Sequence, residues 1–381
     1  MMDPQNYAQL KQEIVERIEA DRALLDQLRS EIRPLRNEVR PISPRPTTAL
    51  SLVATDGGNN SLQFDPFLIH IVRVVDSNNR EYCLEAITPT TSISDLSAKQ
   101  FTDDGTPRTR LGEMMAYVGV RDLTTLSHMI RQNPAGQPTS LSWVQVYREM
   151  VEWAALFSIV RKQDFGTDTL LVCDGLLRST VFARDFFHTY LQGIQEGIER
   201  QWQQNKRRLY LVGVAKQNKV LSRYRLAMAL EHILTTKHAA YVPIPREIEE
   251  KAYRWSEYTR GDDRAAEQSA QQQFAGGKMF FVKFGKGSRD PIWPVDIFLP
   301  QAGEAAPIFG YMVADANNGF PVPYYPQCLQ KAHEHAALVD FDFTIFQDHI
   351  FAGIRQVLAQ EAPVLDTFRL QENNLSQRKY E

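Results

Sequence analysis

The stretch "LLVCDGLLRS" (residues 170–179) places a carboxylate, Asp174, between a short apolar run and a glycine. The apolar run shows no polar alternation, which predicts a buried β-strand. A charge at the end of a buried strand costs free energy unless a partner compensates it. The stretch "LSLVATDGG" (residues 50–58) repeats the arrangement, with Asp56 before two glycines. Two strand-end carboxylates, each followed by glycine, predict a shared oxygen-rich site at one edge of a sheet.

The composition is that of a soluble globular protein. The chain has 381 residues, of which 43% are hydrophobic and 23% are charged, enough for one large domain or two ordinary ones. The net charge of −3 does not favour nucleic acid or membrane, so any such partner needs a local patch. Cys83, Cys173 and Cys328 form no CxxC pair, which argues against a disulfide framework or a thiolate zinc site.

The N-terminal region is charged and has no signal-peptide pattern. No apolar run approaches the roughly 20 residues that span a bilayer, so we expect a cytoplasmic protein without a membrane partner. Residues 4–36 carry an apolar stripe at three- and four-residue steps, which predicts an amphipathic helix. This helix either packs on its own domain or binds a second copy or another partner. The proline-rich segment 40–49 then marks a boundary.

Strands and helices alternate over the rest of the chain. Strands are predicted at 50–56, 67–76, 81–88, 169–174, 209–215, 279–285 and 292–300. Helices are predicted at 111–132, 142–162, 180–204, 219–236, 326–338 and 344–360. Residues 89–110 read as a long loop and residues 260–277 as an exposed helix or insertion. The pattern indicates an α/β fold with a mixed sheet flanked by helices.

Two converging carboxylates, Asp56 and Asp174, would repel one another unless a proton or a cation lies between them. Carboxylate and water oxygens suit Mg²⁺ and Mn²⁺, so a hard divalent metal is the simplest solution. A third acid is expected from the helix "WVQVYREMVEWAALFSIV" (residues 143–160), which offers Glu149 and Glu152. Taken singly, an Asp-Gly pair is also a common turn and a helix glutamate is also a common surface residue.

The segment "GFPVPYYPQCLQKAHEHAAL" (residues 319–338) places Tyr325 before a predicted helix that carries His333 and His335. The two histidines are two residues apart and face different directions, so only one of them can point at a site that Tyr325 reaches. An imidazole could ligate a metal or orient a water, and a phenol could hold a phosphate oxygen. A purely structural role for this segment is the alternative.

Residues 200–225 contain eight Lys or Arg and no Asp or Glu, interleaved with Trp202, Tyr210 and Tyr224. Such a run is typical of a surface that binds phosphate backbones, although a solvated helix end has the same composition. Lys216 follows the apolar run "LVGVA" and is expected at a sheet edge, where its ammonium could steady a phosphate. The residues predicted to contact nucleic acid are Arg178, Lys206, Arg207, Arg208, Lys219 and Arg223.

In order and approximate spacing, five segments resemble the motifs of the NurA family. The segments are "VATDGG", "EMVEWA", "LLVCDGLL", "LVGVAK" and "PYYPQCLQKAHEHA", and the resemblance runs from about residue 46 to 340. The family consists of DNA nucleases with a ribonuclease H-like fold that work with the HerA hexameric ATPase. One departure is visible, because Gly58 stands where the family commonly has serine.

The resemblance implies a manganese-dependent site, with Mg²⁺ as an alternative metal and two ions in the site. It implies metal ligation by Asp56, Glu152, Asp174 and His333, with Tyr325 and Lys216 as further catalytic residues. Glu149 stays an alternative to Glu152, because the sequence does not fix the phase of the helix. In a two-metal mechanism, cations about 3.5–4 Å apart hold the attacking and leaving oxygens of a phosphodiester.

The expected function is therefore an exonuclease and single-strand endonuclease in DNA end resection, repair or anti-phage defence. The expected organisation is a helical arm (residues 1–45), a nuclease domain (46–365) and a polar tail (366–381), in a homodimer. The chain has no GxxxxGK[ST] loop, so ATP use would belong to a HerA-type partner. The alternative is a catalytically inactive DNA-binding or scaffold protein of the same fold.

Overall fold

The computed structural model describes residues 4–45, 50–64, 67–254, 275–337 and 340–358, and for residues 50–60 it describes the backbone alone. The helices in these ranges are α1 Pro4–Ala20, α2 Arg22–Ile32, α3 Ile93–Ala98, α4 Arg110–Tyr117, α5 Leu123–Leu126, α6 Trp143–Lys162, α7 Phe186–Asn205, α8 Lys219–Leu230, α9 Arg246–Arg254, α10 Ala305–Asn317, α11 Gln327–Ala336 and α12 Asp340–Val357. The strands are β1 Arg40–Pro41, β2 Leu50–Phe64, β3 Phe67–Asp76, β4 Glu81–Ile87, β5 Asp168–Asp174, β6 Leu209–Val214, β7 Ala240–Pro243, β8 Gly277–Lys283 and β9 Trp293–Phe298. Short 3-10 helices span Arg33–Glu38 and Leu299–Glu304.

In the described part of the chain, the strands form one sheet in the order β1-β7-β8-β9-β6-β5-β2-β3-β4. The strands β2, β3 and β4 make an antiparallel meander. The first strand of the meander pairs in parallel with β5, which pairs in parallel with β6. This five-strand core is the ribonuclease H-like arrangement, and β9, β8 and β7 extend it in antiparallel fashion. The predicted α/β class, a mixed sheet flanked by helices, is confirmed.

Helices cover both faces of the sheet. On one face, Leu171 and Cys173 of β5 lie in a core with α4, α6 and α7. On the other face, Leu170 and Val172 lie in a second core with α10 and α11. A third core packs α2, α8 and α9 on β7 and β8. The apolar run before Asp174 is therefore buried on both sides, as its lack of alternation predicts.

Several predicted elements differ in extent from those observed. The strand predicted at 50–56 continues to Phe64 as an antiparallel ribbon with β3. The helix predicted over 111–132 is divided, because Gly119 adopts a left-handed φ of +81° just after α4. The loop predicted at 89–110 contains the short helix α3. Three further elements, β7, α9 and α10, were not predicted. Most of the predicted insertion 260–277 lies outside the described residues.

The turn between β3 and β4 is formed around an asparagine and an aspartate. Asn79 adopts a left-handed φ of 61°, a conformation that asparagine tolerates well. The Asp76 carboxylate accepts a hydrogen bond from the backbone N–H of Asn78 at 2.8 Å and so closes the turn.

The N-terminal arm is two helices, with a break at Asp21 where the apolar stripe is interrupted. Its second half belongs to the folded core, since Ile32 and Leu35 are buried together with residues of α8. The predicted tail, residues 366–381, lies outside the described residues. No helix in the described ranges combines the length and the apolar content needed to cross a membrane.

Two glycines allow α7 to approach α6 closely. A Cβ added at Gly193 would lie 2.6 Å from a ring atom of Phe157, and one added at Gly197 would lie 2.7 Å from Val160. Real Cβ atoms do not approach other atoms so closely, so any side chain here would push the helices apart.

Gly197→Ala should therefore lower the free energy of unfolding by about 1–3 kcal/mol, because overpacking outweighs the better helix propensity of alanine. Gly353→Ala on α12 is the matched control, since an added Cβ there meets nothing within 4 Å. Urea denaturation measures both variants. A Gly197→Ala protein as stable as the Gly353→Ala protein would contradict the close helix approach.

An ion-pair cluster joins α2 and the following 3-10 helix to the end of α8. Arg29 Nε lies 2.8 Å from Glu231 Oε1, and Arg33 Nε lies 2.9 Å from Glu231 Oε2. Hydrogen bonds from Arg33 and then Arg29 lower the pKa of Glu231 to about 2. The cluster therefore stabilises the fold only while Glu231 is ionised.

Glu231→Gln should lower the free energy of unfolding at neutral pH, because it removes the ionised partner of both arginines. The difference from the wild type should be complete above the unfolded-state pKa of 4.5 and should vanish as the pH falls through about 2. Urea denaturation over a pH series measures it, with Glu199→Gln, an exposed glutamate of α7, as control. A difference that stays constant through the acid range would exclude this linkage.

Candidate active site

The chain leaves β5 at Asp174 through a tight turn that only glycine accommodates. Gly175 has a left-handed φ of +96°, and its N–H donates to the Val214 carbonyl at 2.8 Å. A Cβ at Gly213 on the neighbouring strand would lie 2.5 Å from the Gly175 carbonyl oxygen. The glycine after Asp174 thus folds the chain over β6 and leaves the carboxylate at the strand end.

The strand register sets Asp56 beside Asp174. Thr55 pairs with Cys173 in the parallel ladder between β2 and β5, so the next residue on each strand is an aspartate. The sequence predicts Asp56 at the end of its strand, and this is wrong because β2 continues to Phe64. Asp56 lies at the point where β2 passes beyond the end of β5. The side chain of Asp56 lies outside the described part of the structure.

Asp174 shares a cleft of about 270 Å³ with two glutamates of α6, Glu149 and Glu152. The helix therefore presents both candidates for the third acid to the same space. Glu152 pairs with Arg148 one turn earlier, with 3.1 Å between Oε1 and Nε. Glu149 accepts hydrogen bonds on Oε1 from Ser179 Oγ at 2.6 Å and from Trp153 Nε1 at 3.2 Å.

Tyr325 and Lys216 both contact the Asp174 carboxylate. The hydroxyl of Tyr325, a residue only 1% exposed, donates to Asp174 Oδ1 at 2.9 Å. The Lys216 ammonium lies 3.6 Å from Oδ2 and 5.6 Å from the centre of the Tyr325 ring. Trp293 packs edge-on against this ring, with 4.9 Å between centroids, and so fixes the phenol. Three segments far apart in sequence meet at one carboxylate.

His333 lies on α11, which packs over β2 and β3. It is exposed, whereas His335 is half-buried. Within the described part of the structure, Asp174 has contacts with Tyr325 and Lys216 and none with His333.

The basic run 200–225 is divided by β6 into two groups. Lys206, Arg207 and Arg208 precede the strand, and Lys216, Lys219 and Arg223 follow it. The strand advances about 3.3 Å per residue, so the groups lie roughly 16 Å or more apart, at opposite edges of the sheet. Only the second group lies at the edge that carries Asp174.

The aromatic residues of this run also differ in their surroundings. Tyr210 and Tyr224 are buried in the cores, so their rings are not available for base stacking. Trp202 is half-exposed, and the Lys206 ammonium lies 5.9 Å from its ring centre.

Arg178 forms a buried network of ion pairs. Its guanidinium donates to both Asp296 oxygens at 2.7 and 2.9 Å and to Glu249 Oε2 at 2.6 Å. The Arg178 side chain is 13% exposed, and Asp296 is fully buried. The hydrogen bonds of Arg178 are therefore made within the fold, and its contact with nucleic acid stays a prediction.

A larger cavity of about 800 Å³ lies between β4 and α6. Two of its acids, Glu85 and Glu113, pair with Lys99 at 2.8 Å and with Lys162 at 2.5 Å. None of the predicted catalytic residues lines it. The cleft at Asp174 is therefore the better candidate site despite its smaller volume.

The donor set of the cleft at Asp174 suits a hard divalent cation, because its candidate ligands are carboxylates. Among the side chains that the structure describes, no three His, Cys, Asp or Glu residues lie close enough together to hold a metal ion. A complete ligand set therefore requires Asp56. Sequence reasoning missed Arg148 and Ser179, which bind the two glutamates; the four-residue spacing of Arg148 and Glu152 was the available signal.

The sheet has the ribonuclease H-like strand arrangement, and the cleft with its carboxylates lies at the ends of the central strands. Comparison with solved structures finds the NurA nuclease from Sulfolobus solfataricus, with a TM-score of 0.44 and 13% identity over 94% of this chain and 99% of that chain. A structure of NurA with manganese has a TM-score of 0.38 and 12% identity, covering 91% of this chain and 98% of that chain. A structure of NurA bound to dAMP and manganese has a TM-score of 0.34 and 11% identity, over 89% and 94% of the two chains.

No family model and no curated protein matches the chain. The comparison of structures thus names the same family that the sequence motifs resemble. A TM-score below 0.5 carries no functional inference, so the function proposed below rests on the residues of this chain.

Arg178→Ala should lower the free energy of unfolding by about 3–5 kcal/mol, because it leaves Asp296 and Glu249 buried without their counter-charge. Arg207→Ala, an exposed arginine, is the control and should change the stability by no more than about 0.5 kcal/mol. Guanidinium denaturation measures both. An Arg178→Ala protein that keeps wild-type stability and binds DNA more weakly would contradict the structural role of Arg178 and support a direct contact with DNA.

Proposed function

We propose that this protein is a metal-dependent DNA nuclease that hydrolyses phosphodiester bonds in the cleft at Asp174. The observation that carries the proposal is the register of β2 on β5, which sets the backbone of Asp56 beside Asp174, and Asp174 lines a cleft with Glu149 and Glu152. Adjacent carboxylates are unfavourable without a cation, and a fold gains nothing from keeping them empty. Such a group of acids is the usual means of holding Mg²⁺ or Mn²⁺ in a protein.

Asp56 and Asp174 would hold the cation, with Glu152 or Glu149 as the third carboxylate. When bound, divalent cations lower the pKa of water and stabilise charge on a phosphodiester. The contacts of the two glutamates separate their roles. Glu149 is oriented by Ser179 and Trp153, whereas Glu152 is paired with an arginine on its own helix.

Tyr325 and Lys216 prepare the cleft for a charged substrate. The buried Tyr325 hydroxyl fixes one oxygen of Asp174, which leaves the other oxygen directed to the Lys216 side. The Lys216 side chain is 47% exposed, and its contact with Asp174 at 3.6 Å is a weak one. With Asp174 engaged in metal binding, the Lys216 ammonium would be available to neutralise a substrate phosphate.

The remaining parts of the proposal follow from the resemblance in sequence. They are manganese as the preferred ion, two ions in the site, His333 as a ligand, a homodimer and a HerA-type ATPase partner. Lys219 and Arg223 follow β6 on the Asp174 side of the sheet and are proposed DNA contacts. Lys206, Arg207 and Arg208 stay predictions for a second contact at the other edge.

The wild type should degrade single-stranded DNA with Mn²⁺ and not with EDTA, and Asp56→Asn or Asp174→Asn should lower the rate about 100-fold or more. Each substitution removes an anionic metal ligand. This is a larger change than the loss of a residue that only hydrogen-bonds to a ligand. Nuclease assays on labelled oligonucleotides measure the rate. Isothermal titration with Mn²⁺ measures the lost metal binding independently of activity.

Asp168→Asn is the matched control, because it makes the same change at the other end of β5 and should leave the rate unchanged. Comparing Glu149→Gln with Glu152→Gln in both assays identifies the third carboxylate. Equal rates for the wild type and Asp174→Asn would leave the alternative, a DNA-binding or scaffold protein without catalysis.

A further inference from the structure

Three connecting segments lie at the same sheet edge as Asp174. Parallel β6 ends there, since Asp174 pairs with Val214. The antiparallel ladders from β6 through β9 and β8 to β7 then bring the segments 215–219, 231–239 and 284–292 to this edge. The edge is therefore continuous from the cleft across four further strands.

This edge carries exposed cations from each of the three segments. They are Lys219 at the start of α8, Lys237 before β7, and Lys286 and Arg289 between β8 and β9. Within the described ranges, none of these four side chains has a carboxylate within ion-pair distance. The nearby acid of the same loop, Asp290, is engaged by the backbone, because the Gly287 N–H donates to its Oδ2 at 2.6 Å. The three segments contain five Lys or Arg and two acids, Glu231 and Asp290, so the edge keeps a net positive charge.

A buried ammonium holds two of these segments together. Lys283, at the end of β8, is fully buried. Its Nζ donates to the Thr236 carbonyl of one segment and to the Gly287 carbonyl of the other, the latter at 2.9 Å. Burying an ammonium is costly, and the two carbonyls together with the nearby charge of Asp290 offset part of that cost. These two hydrogen bonds hold the backbone next to Lys237 and the backbone next to Lys286 close to the same ammonium.

The geometry points to a phosphate-binding rim, formed by Lys219, Lys237, Lys286 and Arg289, that holds a DNA strand leading away from the cleft. This inference rests on the proposed function and names the path of its substrate. Strands lie about 4.8 Å apart, so the rim reaches roughly 14–19 Å from Asp174. Phosphate contacts without base contacts make the rim insensitive to sequence.

The rim shares only Lys219 with the basic run 200–225. That run places Lys206 and Arg207 at the opposite sheet edge, so a strand in the cleft cannot follow it directly. Lys286 and Arg289 stand in a glycine-rich loop that has no run of charge in the sequence. The sheet, and not local composition, assembles the rim.

The test is the double variant Lys286→Gln with Arg289→Gln, both exposed positions. Binding of a labelled single-stranded oligonucleotide is measured by fluorescence anisotropy in EDTA, over a salt series. The slope of log K against log salt should fall by about 1.4, and binding at about 0.15 M salt should weaken about 10-fold. Hydrolysis of the p-nitrophenyl ester of thymidine monophosphate with Mn²⁺ should not change, because this small substrate does not reach the rim.

The same charge change at the other edge, Lys206→Gln with Arg207→Gln, is the comparison. A larger loss of binding from the rim pair supports the inference, and an equal or larger loss from the other pair overturns it. An unchanged salt slope in the rim variant also overturns it. If the wild type hydrolyses neither substrate but the rim pair still weakens binding, the proposed function fails while the rim stands.

Discussion

The parallel pairing of β2 with β5 is the constraint on which the candidate site depends. Residues 55 and 173 pair in this ladder, which places two aspartates side by side at positions 56 and 174. A shift of one residue in this register would set Thr55 or Gly57, and not Asp56, beside Asp174. The buried apolar run 170–173, packed on both faces, makes such a shift costly because every side chain of the strand would change its core.

The chain balances its acids in two different ways. Arg178, Asp296 and Glu249 form a dry network with paired hydrogen bonds, and losing one member leaves buried charge. Asp174 is instead 28% exposed and pairs with a half-exposed lysine, a contact of about 0–1 kcal/mol. The first arrangement stabilises the fold, and the second leaves a carboxylate open to stronger partners. This contrast supports a site at Asp174 and not at Asp296.

The sequence predicts well what short-range patterns determine. The strand before Asp174, the helix carrying Glu149 and Glu152 and the Asn79 turn all follow from apolar runs or turn residues, and they are present. Short or strongly packed elements were missed, because β7 is four residues long and α10 is apolar around much of its surface. Pairing partners were the hardest to foresee. No local signal indicates that Arg178 meets Asp296 across 118 residues.

The distribution of positive charge shows the same limit of local reasoning. A run of lysine and arginine in the sequence is a continuous surface only if the backbone stays on one side, and β6 carries the run 200–225 from one sheet edge to the other. Conversely, Lys237 and Lys286 are 49 residues apart in sequence and share a support because Lys283 binds a carbonyl from each of their segments. A sheet whose strands alternate in direction returns the chain repeatedly to the same edge. Acidic and basic residues at these strand ends therefore come together although they are far apart in sequence. In this way a cleft with carboxylates can lie next to a surface of net positive charge.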